Sequence, residues 1–240
     1  MIWMLSRAVS WRWVVPTVAA FFIVFLGVGN LRFAPERLRV SFIDVAQGDA
    51  TLIEFPRGKT MLIDGGAGGA FNVGRIAVAP YLWERGIHTI DYLVGTHPQM
   101  DHIGGLSYII REFNIKEAWT NGRPRDLPFY HAFSEALEGK GLRPKVISSD
   151  EPPMEIDGCR FFFLNPPMGN RFEEEEFNNQ SIVLRLFCPD LGGEGFSLLL
   201  TGDIEQDGEK RLLENGIDLK STILKVPHHG SISSLNVLFL

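Results

Sequence analysis

Thr96-His97-Pro98-Gln99-Met100-Asp101-His102 is the stretch whose reading decides the fold. Ile90-Asp91-Tyr92-Leu93-Val94-Gly95 before it is rich in apolar and β-branched residues, and Ile103-Gly104-Gly105-Leu106 after it leads into a helical pattern. His97, Asp101 and His102 therefore leave the end of one strand together. Imidazole and carboxylate hold borderline divalent ions, and a strand-to-helix loop is where a rigid scaffold presents them. The competing reading is a helix N-terminus with His and Asp as capping groups. Partners elsewhere in the chain must decide.

Upstream, Leu38-Arg39-Val40-Ser41-Phe42-Ile43-Asp44-Val45 alternates as a strand, and Gly48 permits a tight turn. Ala50 to Phe55 then returns as a second strand, and Thr60 to Ile63 follows as a third, running into Asp64-Gly65-Gly66. Short turns between them predict a mostly antiparallel meander. Ala67-Gly68-Gly69-Ala70 has neither phosphate-loop spacing and reads as a flexible loop. Val73 to Arg85 reads as a helix ending at Gly86. Downstream, a helix from about Gly104 to Phe113, a strand over Glu117–Thr120, a helix from Phe129 to Gly139 and a strand over Lys145–Ile147 continue the alternation. Strands return at Cys159–Leu164, Ser181–Phe187 and Phe196–Leu200. A short helix spans Arg211–Asn215, and a last strand, Thr222–Val226, ends at Pro227-His228-His229-Gly230. The pattern predicts two sheets, each with outer helices. Glu173-Glu174-Glu175-Glu176 reads as a solvated acidic loop.

With 240 residues, 45% hydrophobic and 11% aromatic, the chain suits one domain plus an appendage. A formal net charge of -6 leaves no basic footprint for nucleic acid, so a polyanion would be held by local Arg or Lys or by bound metal. Cys159 and Cys188 lie in strand-like apolar sequence without zinc-site spacing; they read as buried thiols, a disulfide being the less favoured option. Trp13 to Gly29 carries no charge and is long enough to cross most of a ~30 Å hydrocarbon core. The expectation is a membrane anchor over residues 1–33 and a globular domain over 38–240. Arg7 and Arg12 before the apolar run and Arg32, Arg37 and Arg39 after it leave the side of the membrane open. A cleaved signal peptide and a buried core helix are the alternatives; Gly27-Val28-Gly29 is a poor cleavage site, and no polar face is visible.

Four strand ends carry polar groups that buried strands do not need: Asp64, the His97/Asp101/His102 cluster, Asp203 in Leu200-Thr201-Gly202-Asp203, and His228-His229. Ion ligands are gathered from several strand-end loops onto one rim, so their recurrence favours a metal site. On these residues the chain resembles the metallo-β-lactamase superfamily, whose signature is H-x-H-x-D-H followed by a distant His, a distant Asp and a final His. Phe42 to Ala50, Leu62 to Gly66, Asn178 to Leu184, Leu200 to Ile204 and Val226 to Ser231 are similar, in the same order, to the hydrolase domain of the ComEC/Rec family of competence proteins.

The resemblance implies an α+β fold, an αββα sandwich with metals at one edge between the sheets, preceded here by one transmembrane helix. Gln99 stands where the superfamily has its second His, and Asn178-Asn179 where it has the distant one. The first metal position then keeps only His97 and the bridging Asp203, while the second keeps Asp101, His102, Asp203 and one of His228 or His229. The expectation is one firmly bound divalent ion, Mn or Zn, and a second weak or absent. Asp64 would orient a ligand His, and Asp101 or Asp203 would accept a proton from water. Gln47, Asp49, Gln99 and Asn179 are candidate outer groups.

The resemblance further implies a membrane-anchored hydrolase of phosphodiester bonds, a nuclease processing DNA during uptake. Its partners would be single- or double-stranded DNA, the cell membrane and a competence channel. A hydrolase of a small phosphoester, lactone or envelope ester, and a non-catalytic binding domain, are the alternatives. Asn236-Val237-Leu238-Phe239-Leu240 lacks the strand and helix expected to close such a sandwich, so a truncated fragment is expected.

Overall fold

The computed structural model describes residues 11–29, 35, 37–169, 177–189, 195–216, 218–234 and 239. Glu173–Glu176 and Asn236–Leu238, on which the acidic-loop and truncation expectations rest, lie outside the described residues. The chain divides into two compact units, Met1–Phe33 and Ala34–Leu240.

The first unit contains helix α1, Trp11–Gly29. It is 19 residues long, about 28 Å of axis, and includes Arg12 and Pro16. Among the described residues no helix is long and apolar enough to cross a membrane, so the expected transmembrane helix is not borne out.

In the second unit, β1 (Arg39–Phe42), β2 (Thr51–Glu54), β3 (Thr60–Ile63), β4 (Thr89–Gly95), β5 (Asn114–Thr120) and β6 (Lys145–Val146) form one sheet in that order. The first three strands are antiparallel and the rest parallel. The crossovers are α2 (Ala79–Glu84, entered through a π-helical turn at Gly74–Val78), α3 (Met100–Ile103) with α4 (Leu106–Glu112), and α5 (Pro128–Gly139). The second sheet has the order β11-β10-β9-β8-β7, from β7 (Met154–Ile156), β8 (Cys159–Asn165), β9 (Val183–Cys188), β10 (Phe196–Leu200) and β11 (Ile223–Lys225). Only its β10–β11 pair is parallel.

Alternation along the strands builds three packed layers of side chains. On β3 and β4, Met61, Ile63, Tyr92 and Val94 face the inter-sheet core with Phe161, Phe163, Leu184 and Leu198 of the other sheet. Leu62 and Leu93 point the opposite way, into a core shared with Leu82, Leu106, Ile109 and Phe133 of the helices. Both faces are covered, which is why these strands read as unbroken apolar runs. A third cluster, with Leu199, Ile204 and Leu212, packs α6 (Gln206–Glu214) onto the second sheet.

The antiparallel register of β8 and β9 pairs Arg160 with Phe187, so the adjacent Cys159 and Cys188 face each other. They form a disulfide with Cα atoms 4.3 Å apart, which corrects the expectation of free buried thiols. Helix α6 starts well before the expected Arg211. Asn179, distant in sequence, caps its N-terminus by accepting hydrogen bonds from the Glu205 and Gly208 amides (2.8 and 3.0 Å).

Candidate metal centre

The C-terminal ends of β3, β4, β10 and β11 and the β1–β2 turn meet at one edge of the sandwich. Asp64, just past β3, takes a left-handed φ of 58°, a region that Asp tolerates better than most residues. Its Oδ1 accepts the Thr96 amide (2.9 Å), and its Oδ2 accepts the Thr96 hydroxyl (2.7 Å) and lies 2.8 Å from His102 Nδ1. Helix α3 begins behind an extended Gln99, and no side chain caps it. Capping therefore does not account for His97.

The β1–β2 turn is locked onto α3 backbone to backbone. The Asp49 amide donates to the Asp101 carbonyl (3.1 Å), and a Cβ on Gly48 (φ +120°) would stand 2.2 Å from that oxygen. This contact carries the Asp49 carboxylate to the cluster. On the other sheet, Asp203 follows the left-handed Gly202, and its amide donates to Ser181 Oγ (3.1 Å). His228 and His229 both adopt left-handed conformations (φ 46° and 53°), at a cost of order 1 kcal/mol or more each.

Donor atoms of Asp49, His102, Asp203 and His229 all lie within 4.8 Å of one another. His102 Nε2 is 3.0 Å from Asp203 Oδ2, and His229 Nε2 is 3.3 Å from the same oxygen and 3.7 Å from Asp101 Oδ2. His229 Nδ1 is 3.6 Å from Asp49 Oδ1, and the Lys225 ammonium pairs with Asp49 Oδ2.

The electrostatics follow from this packing. Burial disfavours a charged His102, yet the Asp64 charge and the hydrogen bonds to Asp203 and Asp64 outweigh it and raise its pKa well above the ordinary range. Hydrogen bonds to Asp101 and Asp203 raise His229 to about 9. Burial pushes the Asp203 carboxyl up, but hydrogen bonds from His102 and His229 prevail and hold it far below the usual range. The His229 hydrogen bond likewise holds Asp101 low, whereas burial raises Asp49 against the pull of Lys225. Burial, reinforced by the neighbouring His102, lowers His97 to about 3.

His97 is therefore neutral. Thr96 gives its hydroxyl proton to Asp64 and so accepts from His97 Nδ1 (3.1 Å), which leaves His97 Nε2 with a lone pair. Among the described residues this buried nitrogen and Asp203 Oδ1 have no hydrogen-bond partner. Two unpaired buried acceptors beside a four-residue carboxylate–imidazole cluster fit a divalent ion, because a cation satisfies acceptors that no donor reaches.

The remaining sequence-predicted residues distribute unevenly. Of the adjacent histidines, His229 joins the cluster, while His228 Nδ1 turns to Glu205 Oε1 and Ser233 Oγ (both 3.1 Å). Asp49, expected in an outer role, stands among the potential ligand atoms. Gln99 donates to Asn178 Oδ1, and Asn179 is spent on capping α6. Gln47 is exposed in its turn. Lys225 and Glu205 escaped sequence reasoning; the signal for Lys225 was a lone charge inside an apolar strand pattern, and for Glu205 its place two residues after Asp203.

A sequence profile of the metallo-beta-lactamase superfamily matches residues 43–240. ComE operon protein 3 of Bacillus subtilis (strain 168) is 27% identical over 214 residues, 84% of this chain and 26% of the relative. Competence protein ComA of Neisseria gonorrhoeae is 28% identical over 223 residues, 90% of this chain and 28% of the relative. The chain thus spans about a quarter of the length of these curated relatives. Among solved structures, the metallo-beta-lactamase SMB-1 bound to 2-mercaptoethanesulfonate superposes with a TM-score of 0.51 at 13% identity, covering 81% of this chain and 78% of that one, a likeness of fold.

Proposed function

Since the chain belongs to the metallo-beta-lactamase superfamily, we propose that its globular unit is a divalent-metal hydrolase that cleaves phosphodiester bonds of DNA. The observation that carries this reading is the cluster of Asp49, His102, Asp203 and His229 at the rim, with Asp101 beside it. Those residues would hold one ion firmly. A second ion beside His97 Nε2 and Asp203 Oδ1 would be weak, because Gln99 and Asn178 are engaged with each other.

What such an ion supplies is Lewis acidity, which acidifies water and polarises a phosphoryl oxygen. The chain's own residues do the rest. Asp203 and Asp101 stay ionised, so both can serve the ion as ligands or accept a hydrogen bond from a water beside it. Asp64 holds His102 by Nδ1, leaving Nε2 for the ion. Lys225 brings a positive charge to Asp49, where an anionic substrate needs one.

DNA as substrate is supported by the similarity to a protein named for competence. A small phosphoester is the second reading, favoured by the formal net charge of -6. Plasmid nicking with Mn²⁺ or Zn²⁺, run beside a chromogenic phosphodiester, tests both. Ion-dependent nicking abolished by D203N is expected. Turnover of the chromogenic diester alone moves the substrate to the small class, and no turnover of either with an ion bound refutes the hydrolase.

Attachment to a membrane through the first unit is part of the same proposal. Its support is the exposed apolar side chains of Trp13, Val15, Val18 and Phe21 on α1. Recovery of the full chain in the soluble fraction after cell lysis would overturn it.

A further inference from the structure

Glu205 follows β10 and ends its side chain on three donors at once. Its Oε1 accepts from Asn178 Nδ2 (3.2 Å) and Ser233 Oγ (3.0 Å), and lies 3.1 Å from His228 Nδ1. Asn178 in turn accepts from Gln99, in the loop that carries His97 and Asp101. One carboxylate oxygen therefore ties together the segment before β9, the loop after β4 and the turn after β11.

That last turn needs tying. His228 and His229 occupy consecutive left-handed conformations, which a non-glycine residue adopts only when its surroundings over-determine it. The backbone of the turn is held by the His228 amide on the Gly202 carbonyl (3.2 Å), the Ser231 amide on the His228 carbonyl (2.8 Å) and the Ser234 hydroxyl on the Pro227 carbonyl (3.0 Å). None of these bonds touches an imidazole. Glu205, with Ser233, holds the His228 ring, and His228 is joined by one peptide bond to the residue that reaches Asp203 and Asp101.

We propose that Glu205 is a positioning residue of the metal centre: by gripping His228 it fixes the strained Pro227–Gly230 turn and so aims His229 at the ion. The Asn178–Gln99 branch braces the same turn against the β4 loop, on the side of the site that holds His97. The inference rests on the metal reading above and adds a residue outside the ligand set.

The test measures Mn²⁺ dissociation constants on the full chain for the parent, E205A, E205Q and H228G. The absorption spectrum of the Co²⁺-loaded proteins reports a change in the ligand set. E205A is expected to weaken binding about 10- to 100-fold, the range for loss of an outer-shell partner of a ligand, with an altered Co²⁺ spectrum. E205Q keeps an acceptor oxygen and should stay within about threefold of the parent, on the same outer-shell argument. H228G keeps a residue at home in left-handed backbone and leaves Glu205 no imidazole to grip, so it should match E205A; it carries the test alone if E205A does not fold. An E205A or H228G protein that binds Mn²⁺ as the parent does, with an unchanged Co²⁺ spectrum, overturns the proposal, even if its melting temperature falls. A parent that binds no ion removes the metal reading itself, and this inference with it.

Discussion

Ion binding at pH 7 should expel about two protons. His102 has a carboxylate at each ring nitrogen, Asp64 at 2.8 Å and Asp203 at 3.0 Å, an arrangement that only imidazolium satisfies fully. His229 has Asp203 and Asp101 near Nε2 and Asp49 near Nδ1, and its pKa stands at about 9. Both rings therefore carry two protons in the ion-free protein, and each must surrender the Nε2 proton to act as a ligand. His97, already neutral, surrenders none. A doubly charged ion replaces two single charges, so the surrounding carboxylates keep their electrostatic balance. Linkage then makes apparent affinity rise about 100-fold per pH unit between roughly pH 6.5 and 8, or about 2.7 kcal/mol per unit. The slope shallows as pH approaches the His229 value. Calorimetric titration of Mn²⁺ into chelator-treated protein, in buffers of different ionisation enthalpy, counts the protons directly. A count below about one, or affinity flat over that window, would refute the assignment of His102 and His229 as ligands.

The ion-free protein should also lose stability towards both ends of the pH scale. His229, raised to about 9, contributes stability that is complete below about 6.5 and lost as pH climbs through 9, whereas His97, lowered to about 3, costs stability as pH falls below 6.5 because only the unfolded chain takes up its proton. Melting temperatures between pH 4 and 10 would show a maximum near neutrality. In D64N, a buried partner of His102 becomes neutral, which should cost the ion-free protein about 3 kcal/mol in urea unfolding and weaken ion binding about tenfold or more. G48A places a methyl on the Asp101 carbonyl in a left-handed turn, so ion affinity should drop at least about tenfold while far-ultraviolet dichroism stays unchanged. Reduction of Cys159–Cys188, which closes a separation of 29 residues, should destabilise the globular unit by about 3–4 kcal/mol in urea without altering ion stoichiometry.

What the sequence disclosed was the set of strand ends. Asp64, His102 and Asp203 each stand where an apolar pattern stops at a charge, and that signal needs no tertiary information. Asp49 was underrated because its approach depends on the Asp101 carbonyl, a contact between turns more than 50 residues apart along the chain. His228 and His229 were indistinguishable as letters; left-handed backbone and the distant Glu205 separate them. The disulfide hinged on a strand register that the intervening loop concealed, and the start of α6 on a cap lent by Asn179. In each case the missing information was a long-range pairing.

The donors of the centre come from near both ends of the globular unit, residue 49 in its first turn and residue 229 in its last. A ribosome adding about 5–20 residues per second spends roughly 10–40 s between them. Throughout that interval the nascent chain holds at most three of the four donor residues. The four-residue set is therefore complete only once residue 229 has been made, and the ion marks the joined sheets rather than guiding their assembly.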